Sequence, residues 1–314
     1  MQISTILDGI AYLLQQMING ITLGSIYGLI ALGYTMVFGI IGMVNFAHGD
    51  VFMLSTFIAL IVYLILTQVI AVPSIALSLL IVLVTAMVLT AFWSIVIERV
   101  AYRPLRGSFR LAPLISAIGM SIFLMNLVQV VQGPNNKSLP PLLDGGLTIP
   151  IGAAHSITIA WKQVLIAAVT AALLAVFWFV VQRTSLGRAQ RACEQDRKMA
   201  ALLGVNVDRT IAATFAIGGA LAAVAGCLYI VLYGVVNHND GFVPGIKAFA
   251  AAVLGGIGSL PGAVLGGLVI GLVETLWSAY VSSDYKDVVA FAVLALTLVV
   301  KPTGLLGKPE VEKV

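Results

Sequence analysis

The chain has 314 residues, of which 60% are hydrophobic and only 10% charged, with a formal net charge of +4. Soluble domains run near 25% charged, so this composition excludes an ordinary water-soluble protein. It also excludes a nucleic-acid binder, because the basic residues flank apolar runs and no aromatic residues interleave with them.

The N-terminal stretch MQISTILDGIAYLL has neither a positive leader nor an obvious small-residue cleavage site, and is read as a retained span. Apolar runs follow at about 10–30, 31–42, 51–70, 74–97, 111–132, 162–182, 210–235, 248–258, 262–282 and 286–301. A straight helix needs about 20 residues to cross the roughly 30 Å hydrocarbon layer. The runs at 31–42 and 248–258 fall short of that. Each adjoins a polar or glycine-rich break, Gly42–Asp50 and Gly255–Gly262. Helices broken inside a bilayer are tolerated where protein or a water-filled cavity surrounds the break, and such breaks commonly mark transport sites. The expected fold class is all-α: a polytopic transmembrane helix bundle of about eight spans with interrupted helices, forming one domain over residues 1–314.

Basic residues give the orientation. None occurs before Arg99; three clusters follow, at 99–110, 183–209 and 301–313. Short loops rich in Lys and Arg stay on the cytoplasmic side, so these three segments are predicted inside. Segments 133–161, 236–247 and 283–287 then fall outside, the first with the Pro, Gly and Asn content of a surface loop. The N-terminus falls outside too if residues 31–70 form one broken span. Gly20, Gly24 and Gly28 share one helix face; Gly267 and Gly271 share another with Glu274 and Ser278. Small residues at every fourth position let helices approach closely in lipid.

No nucleotide-binding G-x-x-x-x-G-K-[ST], H-E-x-x-H or G-x-S-x-G motif occurs, and His48, His155 and His238 are scattered. No catalytic residues and no metal ligands are predicted. Cys193 and Cys227 lie in different environments and indicate neither a disulfide nor a zinc site. In the segment 183–209, residues 194–203 are predicted to form a short helix. Glu194 and Asp196 suit its N-terminal dipole, Arg197, Lys198, Ala200 and Leu203 follow, and Gly204 stops it. Asp208 is expected to cap the next span. Such a helix either docks in a groove of a cytoplasmic partner or is a solvated, topology-setting loop. Ionisable and amide groups placed in or near the bilayer normally face the bundle interior. Asn45, His48, Asp50, Asn126, Gln129 and Glu274 are therefore candidate pathway residues. Each also has a structural reading: Asp50 as a cap of the helix that follows, Glu274 as a tie between helices, Asn126 and Gln129 as interhelical hydrogen-bonders.

Four ordered blocks, GIIGMVNFAHGDVFM, WSIVIERVAYRPLR, GRAQRACEQDRKMAALLGVNVDR and KAFAAAVLGGIGSLPGAVLGG, resemble the permease subunits of bacterial branched-chain amino-acid ABC importers. The likeness covers nearly the whole chain and is weakest in 133–161. It implies an inner-membrane transport subunit, not an enzyme, for leucine, isoleucine or valine. It implies as partners a second permease (LivM-like), two ATPase subunits (LivG/LivF-like), a periplasmic amino-acid-binding protein and membrane lipid. No cofactor is expected on this chain, because ATP is bound by the partner ATPases. The resemblance places Glu194 to Gly204 in a cleft of an ATPase. A permease of the same superfamily for a sugar, urea or an amide, or an ion-coupled secondary transporter, is the alternative.

Overall fold

A computed structural model describes residues 2–307 apart from 110, 141 and 151–155. Arg110, His155, Lys308 and Lys313 lie outside the described residues. With almost no water-compatible side chains in the runs, each backbone polar group must be satisfied within its own segment, and helices result. Seven helices are long and apolar enough to cross a membrane, among the described residues. This is one fewer than the eight expected.

The first helix, α1 (Gln2–Ile41), is continuous. This corrects the separate short piece expected at 31–42. No proline interrupts the run, and at about 1.5 Å per residue a 40-residue helix extends well beyond the hydrocarbon layer instead of breaking within it. After the turn at 42–47 comes α2 (His48–Leu64), whose last turn widens into a π turn, Ile65–Val69. Then α3 (Ile75–Ile97) begins at Ser74, whose hydroxyl accepts from Leu77 N, and ends in a π turn Glu98–Tyr102 followed by a 3₁₀ turn at Pro104. α4 (Ala112–Gln132) and α5 (Trp161–Arg183) bracket the outer segment. In that segment β1 (Lys137–Ser138) pairs antiparallel with β4 (Val235–Val236), and β2 (Gly146–Pro150) with β3 (Ser156–Ala160) in the register Thr148↔Thr158. It is thus more ordered than the surface loop expected.

The predicted helix 194–203 is two helices, α6 (Ser185–Gln195) and α7 (Arg197–Leu202). Asp196 is extended between them (φ −158°), and its carboxylate accepts from Lys198 N and Met199 N as the α7 N-cap. An Asp side chain that bonds the next turn competes with helix continuation, and here it wins. Glu194 therefore belongs to α6. Gly204 does take a left-handed φ of +85° just past α7. α8 (Val207–Tyr233) is capped by Asn206, not by Asp208, which sits in its first turn. α9 (Phe242–Gly255) is short, as expected of 248–258. α10 (Leu260–Tyr280) starts at the Ser259 cap. α11 (Lys286–Val300) has only 15 residues, which accounts for the missing eighth span.

The core lies among α1, α2, α8, α9 and α10, whereas most of α3, α4 and α5 stays exposed to lipid or a neighbour. The two glycine faces meet: an added Cβ at Gly24 would sit 2.7 Å from Leu268 Cα, and one at Gly271 would be 2.6 Å from Gly20 O. At the basic end, Asp208 pairs with Arg103 at 2.5 Å and with Arg106, so the first two clusters lie on one face, as the charge pattern requires. The segment after Lys301 joins α9 through Leu305 N donating to Leu254 O at 2.8 Å. At the opposite end, Thr158 N donates to Gln15 Oε1 at 2.8 Å, which places the start of α1 beside the outer segment.

Candidate functional site

Polar groups inside the bundle gather in two places. The first surrounds the turn at 42–47. Asn45 accepts from Ala47 N (3.1 Å) and from the Tyr102 hydroxyl (2.6 Å), tying the turn to the π turn of α3. Asn45 thus holds the helix break. The His48 ring occupies the space beside Gly33 of α1, where a side chain would overlap it, and stacks edge-on against Tyr34 with centroids 4.9 Å apart. Asp50 does not cap α2; the N-cap is Ala47 and makes no side-chain bond. The Asp50 carboxylate instead accepts from the Ser121 hydroxyl of α4. It borders a cavity of about 240 Å³ with Tyr34, Phe46, Ile118 and Phe249 on its walls. The close approach of α9 to α2 here needs glycine on both sides, since a Cβ on Gly245 would lie 2.9 Å from Gly49 Cα.

The second place is the seam of α1, α9 and α10. Lys247 Nζ lies 2.6 Å from Glu274 Oε1, and the Tyr27 hydroxyl donates to Glu274 Oε2 at 3.0 Å. Lys247 also reaches Asp287, at the start of α11, at 2.5 Å. Lys247 and Glu274 are both buried. A buried charge is tolerable when paired and hydrogen-bonded, and this one is. A cavity of about 290 Å³ with Tyr12, Gln16, Tyr233 and Ser278 on its walls reaches Glu274 from the outer end. The geometry favours the reading of Glu274 as a tie between helices. Lys247 was not among the sequence candidates. The only available signal was a single lysine eleven residues into the outer segment and directly before an apolar run.

Asn126 and Gln129 do not join either place. Asn126 is exposed on α4 and donates to Ile122 O of its own helix at 2.7 Å; Gln129 is half-buried. The interhelical hydrogen bond expected of Asn126 does not form, and its side chain points away from the interior of this chain. A helix placed at the bundle edge can satisfy an amide locally.

At the basic end, α6 packs on α1. The Glu194 carboxylate lies where a side chain on Gly39 would stand, and accepts from Gln190 Nε2 at 3.1 Å. Burial pushes the Glu194 carboxyl above its ordinary range, opposed by the Gln190 hydrogen bond and the Arg191 charge. Burial likewise raises the Cys193 thiol. A cavity of about 350 Å³ runs from Gly39 and Gly42 to Asp196, Arg197 and Lys198. On α7 and its C-cap residue the outward face is apolar: Leu202 is 81% and Leu203 84% exposed, with Met199 beside them, while Ala200 is buried.

A family profile described as branched-chain amino acid transport system / permease component matches residues 16–298. The chain is 51% identical over 305 residues to the high-affinity branched-chain amino acid transport system permease protein BraD of Pseudomonas aeruginosa, covering 97% of this chain and 99% of that one. It is 52% identical over 303 residues to the corresponding LivH protein of Escherichia coli K12, covering 96% and 98%. Salmonella typhimurium LivH is 51% identical over 306 residues, covering 96% and 98%. No solved structure matches it.

Proposed function

Because this chain belongs to the family of branched-chain amino-acid transport permease components, and is a multi-pass protein of the inner membrane and not an enzyme, we propose that it carries leucine, isoleucine and valine inward. Identity above one half over almost the full length of both chains is the observation that carries this reading. We assign it a second permease subunit (LivM-like), two ATPase subunits (LivG/LivF-like) that bind all the ATP, and a periplasmic binding protein that delivers the amino acid. The chain acts as one transmembrane domain and needs no cofactor of its own.

Two features of the fold support the coupling role of the inner segment. The exposed apolar face of α7, flanked by Arg197 and Lys198, suits docking into a groove on a partner. Behind it, Glu194 bears directly on Gly39 near the end of α1, so displacement of α6 and α7 acts on the turn that holds Asn45, His48 and Asp50. ATP and the loaded binding protein then act by favouring one of two bundle arrangements. Asp196 serves this segment as the α7 cap more than as a contact.

The test is reconstitution of the complete assembly in vesicles. Leucine uptake that requires ATP and binding protein, and that unlabelled isoleucine and valine suppress, is expected. Uptake by this chain alone along an ion gradient refutes the ATP-driven reading. Leucine uptake that sugars or amides suppress but isoleucine and valine do not refutes the substrate assignment.

A further inference from the structure

Among the described residues, three carboxylates are almost wholly buried: Asp50, Glu98 and Glu274. Glu98 is paired with Arg106, and Glu274 with Lys247. Asp50 alone has no Lys, Arg or His partner among the described residues; its one side-chain bond is the neutral hydroxyl of Ser121. A carboxylate inside a membrane bundle is expensive, and such groups pair with a cation or serve a transported one. Asp50 also faces a cavity instead of packed side chains. About 240 Å³ is roughly eight times the ~30 Å³ share of one water molecule. That is commensurate with the handful of heavy atoms in a branched amino acid. The same cavity is lined by the rings of Tyr34, Phe46 and Phe249 and the alkyl chain of Ile118. One anionic corner facing an aromatic and aliphatic surface is the complement of a primary ammonium group attached to a branched hydrocarbon.

The other cavities lack one half of that pattern. One of about 510 Å³ is lined by side chains such as Leu79, Leu142, Leu165 and Leu228, with only Tyr63 and Cys227 departing from pure hydrocarbon. It has nothing to orient a zwitterion. The outer cavity at Glu274 has a carboxylate, but Lys247 already answers it.

We infer that the cavity between α1, α2, α4 and α9 is a waypoint for the transported amino acid, with the Asp50 carboxylate accepting from its α-ammonium group and the Tyr34, Phe46 and Phe249 rings bordering its side chain. The inference rests on the proposed transport of branched-chain amino acids. A single charge contact with apolar walls holds a substrate weakly, as a route that must release its cargo requires. Ser121 is a positioning residue: its hydroxyl directs the carboxylate toward the cavity from the side of α4. Ile118 is exposed on α4, so its side of the cavity is open toward whatever lies against that helix.

The test uses the complete reconstituted assembly, with leucine uptake and the stimulation of ATP hydrolysis by leucine-loaded binding protein measured together. Asp50→Asn is expected to lower uptake at least tenfold while stimulation stays within twofold of wild type, and Asp50→Glu is expected to recover part of the uptake. Ile118→Trp, which fills the cavity from its exposed side, is expected to give the same split between uptake and stimulation. Asp50→Asn with uptake within twofold of wild type overturns the inference, as does loss of uptake and stimulation together. If Asp50→Asn fails to insert, Ile118→Trp decides: wild-type uptake overturns the waypoint, and lost uptake with stimulation kept upholds it. Failure of the wild-type assembly to take up leucine is a different result, because it refutes the transport reading itself.

Discussion

Replacing Lys247 by Met should destabilise the protein more than replacing Glu274 by Gln, although the two residues share one ion pair. The Nζ···Oε1 distance is 2.6 Å and both side chains are almost inaccessible. At an effective dielectric constant near 20, two unit charges at that distance attract by about 6 kcal/mol. Removing both ions from water costs about as much, so the intact pair is close to neutral relative to an apolar pair of the same shape. Breaking it from one side is different, since the remaining charge stays buried; that costs about 3–5 kcal/mol. The two sides are not equivalent here. Without Glu274, Lys247 keeps Asp287 at 2.5 Å. Without Lys247, Glu274 keeps, among the described residues, only the Tyr27 hydroxyl at 3.0 Å. Lys247→Met should therefore cost the full ~3–5 kcal/mol and Glu274→Gln about half of that, with the double variant recovering ~2 kcal/mol of the sum. Denaturant unfolding in mixed micelles, read by tryptophan fluorescence, measures all four corners of the cycle; Trp277 on α10 lies one turn from Glu274. Equal costs for the two single variants, or a coupling below about 0.5 kcal/mol, would refute the assignment of this pair as a tie between α9 and α10.

Three further outcomes are expected. Gly24→Ala or Gly271→Ala should each cost about 1–3 kcal/mol by forcing α1 and α10 apart, while Gly9→Ala, with nothing within 4 Å of the added carbon, should cost nothing measurable by the same unfolding assay. In membranes prepared without the ATPase subunits, a cysteine placed at Leu203, which is 84% exposed on this chain, should react in inverted vesicles but not in intact cells with a reagent that cannot cross the membrane. Native Cys193 should stay unreacted in both, because it is 2% exposed and burial raises its thiol pKa. Leu202→Glu with Leu203→Glu should cut ATPase stimulation at least about tenfold at normal insertion, since losing two buried leucines from an interface forfeits roughly 1.5–3 kcal/mol each; unchanged stimulation removes α7 from the coupling surface.

The number and order of spans were nearly legible from hydropathy, because it depends on local composition. Asp208 pairing with Arg103 and Arg106 shows two basic clusters meeting as the charge pattern demanded. What escaped was decided at longer range or by a single dihedral. The division at residue 31 assumed that a helix stops where the bilayer does; α1 runs on because nothing in its sequence breaks it. The helix expected at 194–203 was divided by one aspartate whose side chain satisfies the next turn better than its backbone continues the last. Asn126 and Gln129 have the spacing of an interior face, but which face of α4 is interior depends on where its neighbours pack. Lys247 was invisible because a lone lysine at the end of an outer segment looks solvated, and only the fold brings Glu274 within 2.6 Å of it.

The same contrast between local and distant determinants separates the two polar places in the bundle. Glu274 is answered from within the chain: its charge is matched by Lys247, its second oxygen by Tyr27, and the lysine by Asp287. A network closed in this way fixes helices in place. Asp50 is held differently. Its backbone is positioned by the turn at 42–47, through Asn45, Ala47 and Tyr102, and by the glycine contact between α2 and α9. Its carboxylate accepts from a single hydroxyl, packs against Gly241 and borders a cavity. The turn that positions it follows the end of α1, where Glu194 of the inner segment presses on Gly39. The charge best suited to meet a passing ammonium group is thus also the one whose supports lie nearest the surface on which a partner would push. A closed ion-pair network buried elsewhere in the same bundle gives that movement something rigid to work against.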